Sequence, residues 1–429
     1  MNEKKRLPFG MGRLGTKWWV LVGVSLTLVT RGIIAYSQQA SEGEVVTGMR
    51  DIGPMGGAAW GLYIVFVVYF VGISFTGICL ASLIRLLNLK VLRPIVRPAE
   101  VMTVIALILG ALAILADVGQ PGRAFLMLLK YARPQSPFFG TFAMVISGYL
   151  FGSLVYLYLH GRPDAAVLAK RPGLLQRFHR WWAAGYGDTP PERARRVRSS
   201  FWLSVALLPL LITATSTLGF VFGLQGGRPG WFGSLQAPGF VVMAGLSGVG
   251  VLILIAAGLR QALGEKERLN LELFRWLADF LLVLLAGYLY FLVVEWLTNS
   301  YAAGPSESLV SQAILAGENA WIFWGSVAFL TLPAFLLLLQ RLRGRVSLPL
   351  IVACGVMVNL AAIAKRFLIV VPSQTHGMLL PYSTGSYTPS LVEWEIVIGL
   401  VGLGGLLFAL FVKGFPILEL DRDYLGGTK

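Results

Sequence analysis

Two cysteines and three histidines are all that 429 residues offer a soft metal or a redox cofactor. Cys79 and Cys354 each lie inside an apolar run. A cysteine-held iron–sulfur cluster takes about four thiolates, so this chain is expected to hold none, and a structural disulfide is disfavoured as well. His160 stands where an apolar run gives out, His179 in a polar stretch and His376 between two apolar runs. No two of them can face each other as axial ligands, which argues against a bis-histidine haem b. No cluster of histidine and carboxylate falls inside an apolar run, so no metal site is expected. GxxxxGKS and GxxxxGKT are both missing, and the glycine runs lie in apolar segments rather than at strand–helix turns. Charge is scarce too: 13% of residues are charged and 56% are hydrophobic. A soluble chain of this length needs far more charge to cover its surface, so the class is an all-α polytopic membrane protein.

What is present is a series of apolar runs of membrane-spanning length. Ten are expected, near 18–36, 59–83, 99–117, 138–159, 201–224, 239–259, 273–297, 319–340, 348–371 and 392–412. Trp18–Tyr36 follows a basic segment as a signal peptide would. It is long enough to span and lacks a small-residue cleavage site, so it reads as a retained helix. Of the 36 lysines and arginines, 27 fall in the termini and the loops on their side, and five in the opposite loops. The alternation never fails, which places both termini in the cytoplasm. The net charge of +15 is then topology rather than a nucleic-acid surface. The one long cytoplasmic segment, 160–200, carries RFHRWW and reads either as an amphipathic piece on anionic lipid or as a docking site. Gly72 with Thr76 and Gly77, and Gly399, Gly402, Gly404 and Gly405, are close-packing signals.

Polar residues within the spans are costly unless paired or facing a cavity. Trp60, Tyr63, Val67, Phe70 and Ser74 fall on one stripe of the second span, which reads as an aromatic belt or as a wall for a flat apolar ligand. The third span ends in Asp117, followed by Gly119, Gln120, Pro121 and Arg123. Arg123, Lys130 and Arg133 oppose the charge bias, so a local partner is expected: Asp117 either pairs with Arg123 or acts as a proton acceptor beside an apolar pocket. Asp279, Tyr288, Tyr290 and Glu295 of the seventh span, with Asn359, Lys365 and Arg366 of the ninth, form either structural pairs or a proton route.

Three motifs stand out in order: W-G-x-Y from Trp60, D-x-G-x-P-x-R from Asp117 with Ser136–Pro137, and K-R…V-P…Y-x-P-S-x-V-E-W from Lys365 to Trp394. Together they resemble the NrfD/polysulfide-reductase family of integral membrane subunits, which includes PsrC-like, DsrP-like and HmcC-like proteins and the integral subunits of alternative complex III. The resemblance covers roughly residues 55 to 415.

It implies two four-helix bundles, at 59–225 and 239–371, flanked by one helix within 1–58 and one within 392–429. It also implies a quinone, menaquinone or ubiquinone, as substrate at the outer end of the first bundle, with no cofactor held by this chain. Trp60, Tyr63, Ser74, Asp117 and Gln120 would bind it, and Asp117 with Arg123 would serve the chemistry. Asp279, Glu295, Lys365 and Arg366 would carry protons. Some relatives place a histidine where Ser74 and Thr76 stand here. The implied partners are an iron–sulfur electron-transfer subunit docked outside and further catalytic or cytochrome subunits, in a bacterial or archaeal cell membrane. Two competing readings are a secondary transporter, disfavoured by Gly/Pro breaks at span ends, and a membrane anchor without quinone chemistry.

Overall fold

A computed structural model describes residues 11, 15–51, 56–123, 126, 130, 143–376 and 384–420. The expected turn at Ser136–Pro137 and Arg133 lie outside the described residues. Every regular element among the described residues is helical. Among the described residues ten helices are long and apolar enough to cross a membrane: α1 (Thr16–Glu42), α2 (Leu62–Leu86), α3 (Val96–Asp117), α4 (Ala143–Ala169), α6 (Pro190–Gly223), α7 (Gln236–Leu263), α8 (Leu271–Ala302), α10 (Ala320–Leu342), α11 (Leu348–Val370) and α13 (Leu391–Gly414). Shorter helices sit between them: α5 (Gln176–Ala183), α9 (Pro305–Leu315) and α12 (Pro372–Thr375). The chain is thus an all-α polytopic membrane protein.

Helix α2 carries no charged residue before Arg85 and buries most of its side chains, and such a helix belongs inside a bundle rather than at its rim. It packs on α3, α6, α7 and α11. Small residues set these approaches: Gly77 lies against Thr103 and the Ala99 carbonyl of α3, and Gly248 of α7 against Thr76. Helices α1 and α13 form a pair of their own, crossing where Gly32 meets Gly399, and α13 also packs on α3. Arg31 of α1, a cation within a span, is paired with Glu395 of α13. Large apolar side chains such as Ile34, Phe151 and Phe335 point outward, as a helix in lipid requires. Helices α6 and α10 run unbroken through Pro209 and Pro333, so neither proline divides its span into half-helices.

The helices extend further toward the end that carries the termini than hydropathy suggests. α4 continues to Ala169 and α6 starts at Pro190, so the expected loop 160–200 is largely helix. Its amphipathic piece, α5, is held from below: Trp182 stacks on Phe415 at 4.5 Å and His179 bonds the Gly414 carbonyl at 2.9 Å, while Trp181 stays exposed. Cations counted as loop residues are likewise internal, Arg97 being 1% exposed. Hydropathy reads a charge as surface, whereas here the charges are matched inside.

Candidate functional site

At the end opposite the termini, α1, α2, α3 and α13 converge on a group of acids. Glu44 follows α1 in a short 3-10 turn, and Gln39 of α1 donates to it at 2.8 Å and to the Ala116 carbonyl of α3 at 2.9 Å. The amide oxygen of Gln39 accepts from the Tyr63 hydroxyl at 2.6 Å. Tyr63 and Gln39 are both buried, and the amide lashes α1, α2 and α3 into one piece. Gly119 is needed just past α3. It has φ +68°, and a Cβ there would come within 2.7 Å of the Glu44 carboxylate. The glycine therefore lets Glu44 lie against the turn that follows Asp117.

Asp117 has a buried Oδ1 that makes no hydrogen bond, and so has Glu44 at Oε2. Two carboxyl groups near one another with unsatisfied buried oxygens are rare in a purely structural role, because each costs about 1–3 kcal/mol. The Glu44 carboxyl lies above its ordinary range, raised by burial and by the Glu393 charge against the bond from Gln39. Glu393 itself is fully buried and fully satisfied. It accepts from the Tyr387 hydroxyl, from Gly48 N–H at 2.7 Å and from Ser390 N–H at 2.8 Å, and it caps α13. Burial, above all, and the neighbouring Glu393 charge hold the Tyr387 phenol well above its usual value. Tyr387 also accepts from Leu62 N–H at 2.7 Å, tying the start of α2 to the segment before α13.

The expected pair between Asp117 and Arg123 does not form: among the described residues no ion pair joins them, and Arg123 is exposed. The turn through Gly119 and Pro121 carries Arg123 outward instead, and Gln120 is exposed beside it. Tyr63 and Asp117 are brought together electrostatically. Trp60 precedes α2, exchanges two backbone bonds with the Gln374 amide at 3.0 and 2.9 Å, and stacks on Trp231 at 5.6 Å. The aromatic wall therefore consists of Trp60, Trp231 and Phe222. Ser74 lies eleven residues beyond Tyr63 on α2, about 16 Å along the helix. It is fully buried and bonds the Val71 carbonyl at 2.7 Å.

In the second half, Asp279 pairs with Arg341 at 3.1 Å near the end that carries the termini. Glu295 meets Lys365 at 3.7 Å near the other end, where both line a cavity of ≈ 120 Å³ with Arg366 and Tyr288. Arg366 lies over the Phe240 ring at 4.2 Å and reaches the Phe240 carbonyl at 3.4 Å. Asn359 accepts from Tyr69 of α2 at 2.8 Å, so it joins the halves rather than lining that cavity. Sequence reasoning missed Gln39, Glu44, Trp231 and Glu393 as parts of one end. Only Glu393 had a signal, the capping box begun by Ser390. Among the described residues no group of three metal-ligating side chains occurs.

Comparison with known proteins agrees with this architecture. The chain is 27% identical to a putative dimethyl sulfoxide reductase membrane subunit of Halobacterium salinarum, covering 96% of this chain and 94% of that protein. It is 26% identical to a selenate reductase subunit of Mesobacillus selenatarsenatis, covering 91% and 92%. It is 25% identical to the Hdr-like menaquinol oxidoreductase integral membrane subunit of Archaeoglobus fulgidus, covering 94% of each. The family model for polysulphide reductase, NrfD, matches residues 52–376, from just before the aromatic wall to the end of α12. A span set of this kind, matched over most of its length, makes the chain a member of the NrfD polysulphide reductase family of integral membrane subunits.

Proposed function

We propose that this subunit exchanges electrons between membrane quinol and an iron–sulfur partner, and that the acid-lined end of α1, α2, α3 and α13 is where quinol loses its protons. The observation that carries the reading is Asp117, whose buried Oδ1 is left without a donor beside Tyr63. A general base must reach the proton it abstracts and must not already be paired. Asp117 meets the second condition, and the charges that face it are those of two further acids, Glu44 and Glu393. Quinol oxidation releases two electrons and two protons. The electrons pass to the partner's cluster, and the protons leave through Asp117 and Glu44 to the outer side. The relative from Archaeoglobus fulgidus is named a menaquinol oxidoreductase subunit, which supports a quinol substrate here.

In this reading the termini lie in the cytoplasm of a prokaryotic cell, as the arginine and lysine distribution argues. The iron–sulfur subunit docks on the opposite face, with catalytic or cytochrome subunits beyond it. Trp60, Trp231 and Phe222 offer an apolar aromatic surface for a ring or an isoprenoid tail. Arg123 and Gln120, turned outward, belong to the docking face. Glu295, Lys365 and Arg366 form a polar vestibule for protons in the second half, and Asp279, paired with Arg341 near the end that carries the termini, would serve the opposite end of that route.

The test is quinol-dependent reduction of the clusters in the complex purified with its co-encoded partners. Loss of that reduction in Asp117→Asn, with the complex still assembled, supports the assignment. Unchanged rates remove Asp117 from the mechanism, and a wild-type complex without quinol reactivity leaves only a membrane anchor.

A further inference from the structure

The other end of the first half holds a second set of buried ionisable groups, which the quinone reading does not use. On α4, Tyr149, Ser153, Tyr156, His160 and Asp164 recur at spacings of four, three, four and four, which places them on one stripe. All five are at most 4% exposed. The stripe runs for about 22 Å at 1.5 Å per residue. A polar stripe of this length inside a membrane bundle is costly unless it serves something, since lipid and apolar neighbours supply no hydrogen bonds.

Its lower part faces charges from every neighbouring element. Arg97 of α3 pairs with Asp164 and bonds the Pro416 carbonyl at 3.1 Å. Arg85 of α2 bridges Glu100 of α3 at 3.1 Å and Glu419 of the C-terminal segment at 2.7 Å. His160 sits between them, with Nδ1 3.1 Å from Glu100 and Nε2 2.6 Å from the Ser200 hydroxyl of α6. Glu419 stays ionised: burial opposes its charge, but Arg85 and Arg97 hold it at about 2. Two guanidinium groups thus face three carboxylates, and a third, Arg268 of the segment before α8, reaches the Glu419 carbonyl at 3.0 Å. Glu100 Oε2 is buried without a hydrogen-bond partner, which leaves a place for a proton.

Above this group the hydroxyls continue. Tyr156 bonds Ser204 at 2.9 Å and faces Ser82. Ser153 and then Tyr149 follow, the Ser153 Oγ and the Tyr149 hydroxyl both buried without a partner, and Tyr149 lies by Ser74 and Thr103. Thr103 donates to the Ser74 carbonyl at 2.9 Å. The column ends there, because α2 is apolar through Val71, Phe70 and Val67 on its way to Tyr63.

We propose that His160 and Glu100 bind one proton from the cytoplasmic side, and that the hydroxyl stripe of α4 leads it to the middle of the first bundle as a proton half-channel. The step is a proton transfer alone. Hydronium from the cytoplasmic medium, entering where Arg85 and Glu419 are partly exposed, gives a proton to the imidazole–carboxylate pair and leaves as water, the group gains one positive charge, and no electron moves. A purely structural ion-pair group needs the arginine–carboxylate pairs only. It needs neither the histidine proton nor the hydroxyls above it.

Two measurements test this, and only the second rests on the quinol reading. The first follows the purified chain by infrared spectroscopy across about pH 5 to 9, where histidine-linked groups titrate. A one-proton imidazole or carboxyl signal is expected in the wild type and should vanish in both His160→Gln and Glu100→Gln. No such signal in the wild type, or an unchanged one in both variants, overturns the proposal even if the variants lose thermal stability. The second reconstitutes the complex in vesicles and counts protons taken from the cytoplasmic side per quinol oxidised. Tyr149→Phe keeps the ring and removes only a hydroxyl, so it should at least halve that count while electron transfer continues. An unchanged count overturns the route. If the wild-type complex oxidises no quinol, the quinol reading falls, and the infrared titration alone decides the proton site.

Discussion

Glu100 and Asp117 stand about 26 Å apart along α3, at opposite ends of the same bundle. Around Glu100 there are cations on three sides: Arg85, Arg97 one turn away, and His160 when protonated. Around Asp117 there are none among the described residues. Its charged neighbours are Glu44 and Glu393, and the arginine that follows it points away. One helix thus joins a matched group to an unmatched one. The matched end has the composition of a structural tie, since it fastens the C-terminal segment to α2, α3 and α4. The unmatched end keeps acids together against their mutual repulsion, which a fold sustains where something else is gained.

The contrast is broken most severely by removing a cation from the matched end. Arg97→Leu should strand Asp164 without its counter-charge in an almost water-free place and cost about 3–5 kcal/mol. A fall in the thermal midpoint of the purified chain would register it, and Arg97→Leu with Asp164→Leu should recover most of the loss. A single variant as stable as the wild type would mean the pair contributes little.

At the unmatched end the same kind of deletion should act in reverse on stability. Asp117→Asn removes a like charge from beside Glu44 and Glu393, so the fold should gain about 1 kcal/mol while quinol oxidation slows about 100-fold. Thermal unfolding and stopped-flow reduction of the partner cluster on the same preparation measure both. Loss of stability together with rate would assign Asp117 a structural task instead.

How much of this was legible in the sequence depended on whether a charge met its partner nearby. The ten spans were legible because apolar length is a local property. The charge alternation was also local, and it separated the two ends correctly enough to group Asp117 with the loops that hold few cations. What stayed hidden was set by contacts between distant segments. Arg97 was read as a loop cation because nothing near it in sequence reveals Asp164 or Pro416. Glu44 and Gln39 were passed over because the partners that give them meaning, Ala116, Tyr63 and Gly119, lie on other elements. The stripe from Tyr149 to Asp164 was the exception. Its periodicity was present in the sequence and went unread because a hydropathy window ends the span at His160.

Glu419→Gln probes the matched end by pH. The carboxyl of Glu419 is held at about 2 against an ordinary 4.5, so its stabilising share is present above 4.5 and disappears as pH falls through about 2. Water still reaches part of this side chain, so the variant should lose only about 1–2 kcal/mol at neutral pH. That difference from the wild type should shrink as the medium is acidified, and thermal midpoints collected over the same range would show it.

Glu44→Gln asks the same question at the other end, with the opposite sign and the smallest effect. Burial, with the Glu393 charge, raises the Glu44 carboxyl above 4.5, so the folded chain holds this proton more tightly than the unfolded one. Its stabilising share is therefore full below 4.5 and is lost as pH rises through the folded value. Glutamine carries no such proton. The variant should become relatively more stable than the wild type as pH rises above 4.5 toward neutrality, whereas Glu419→Gln becomes relatively less stable as pH rises over the lower window, from about 2 to 4.5. Glu44 is half-buried and water screens its charge, so the change in thermal midpoint should be about 1 °C or less. Two difference curves that change in opposite senses would show that α3 joins an end rich in cations to an end short of them. Curves that slope alike would mean both ends are paired, and Asp117 would lose the electrostatic setting that makes it a base.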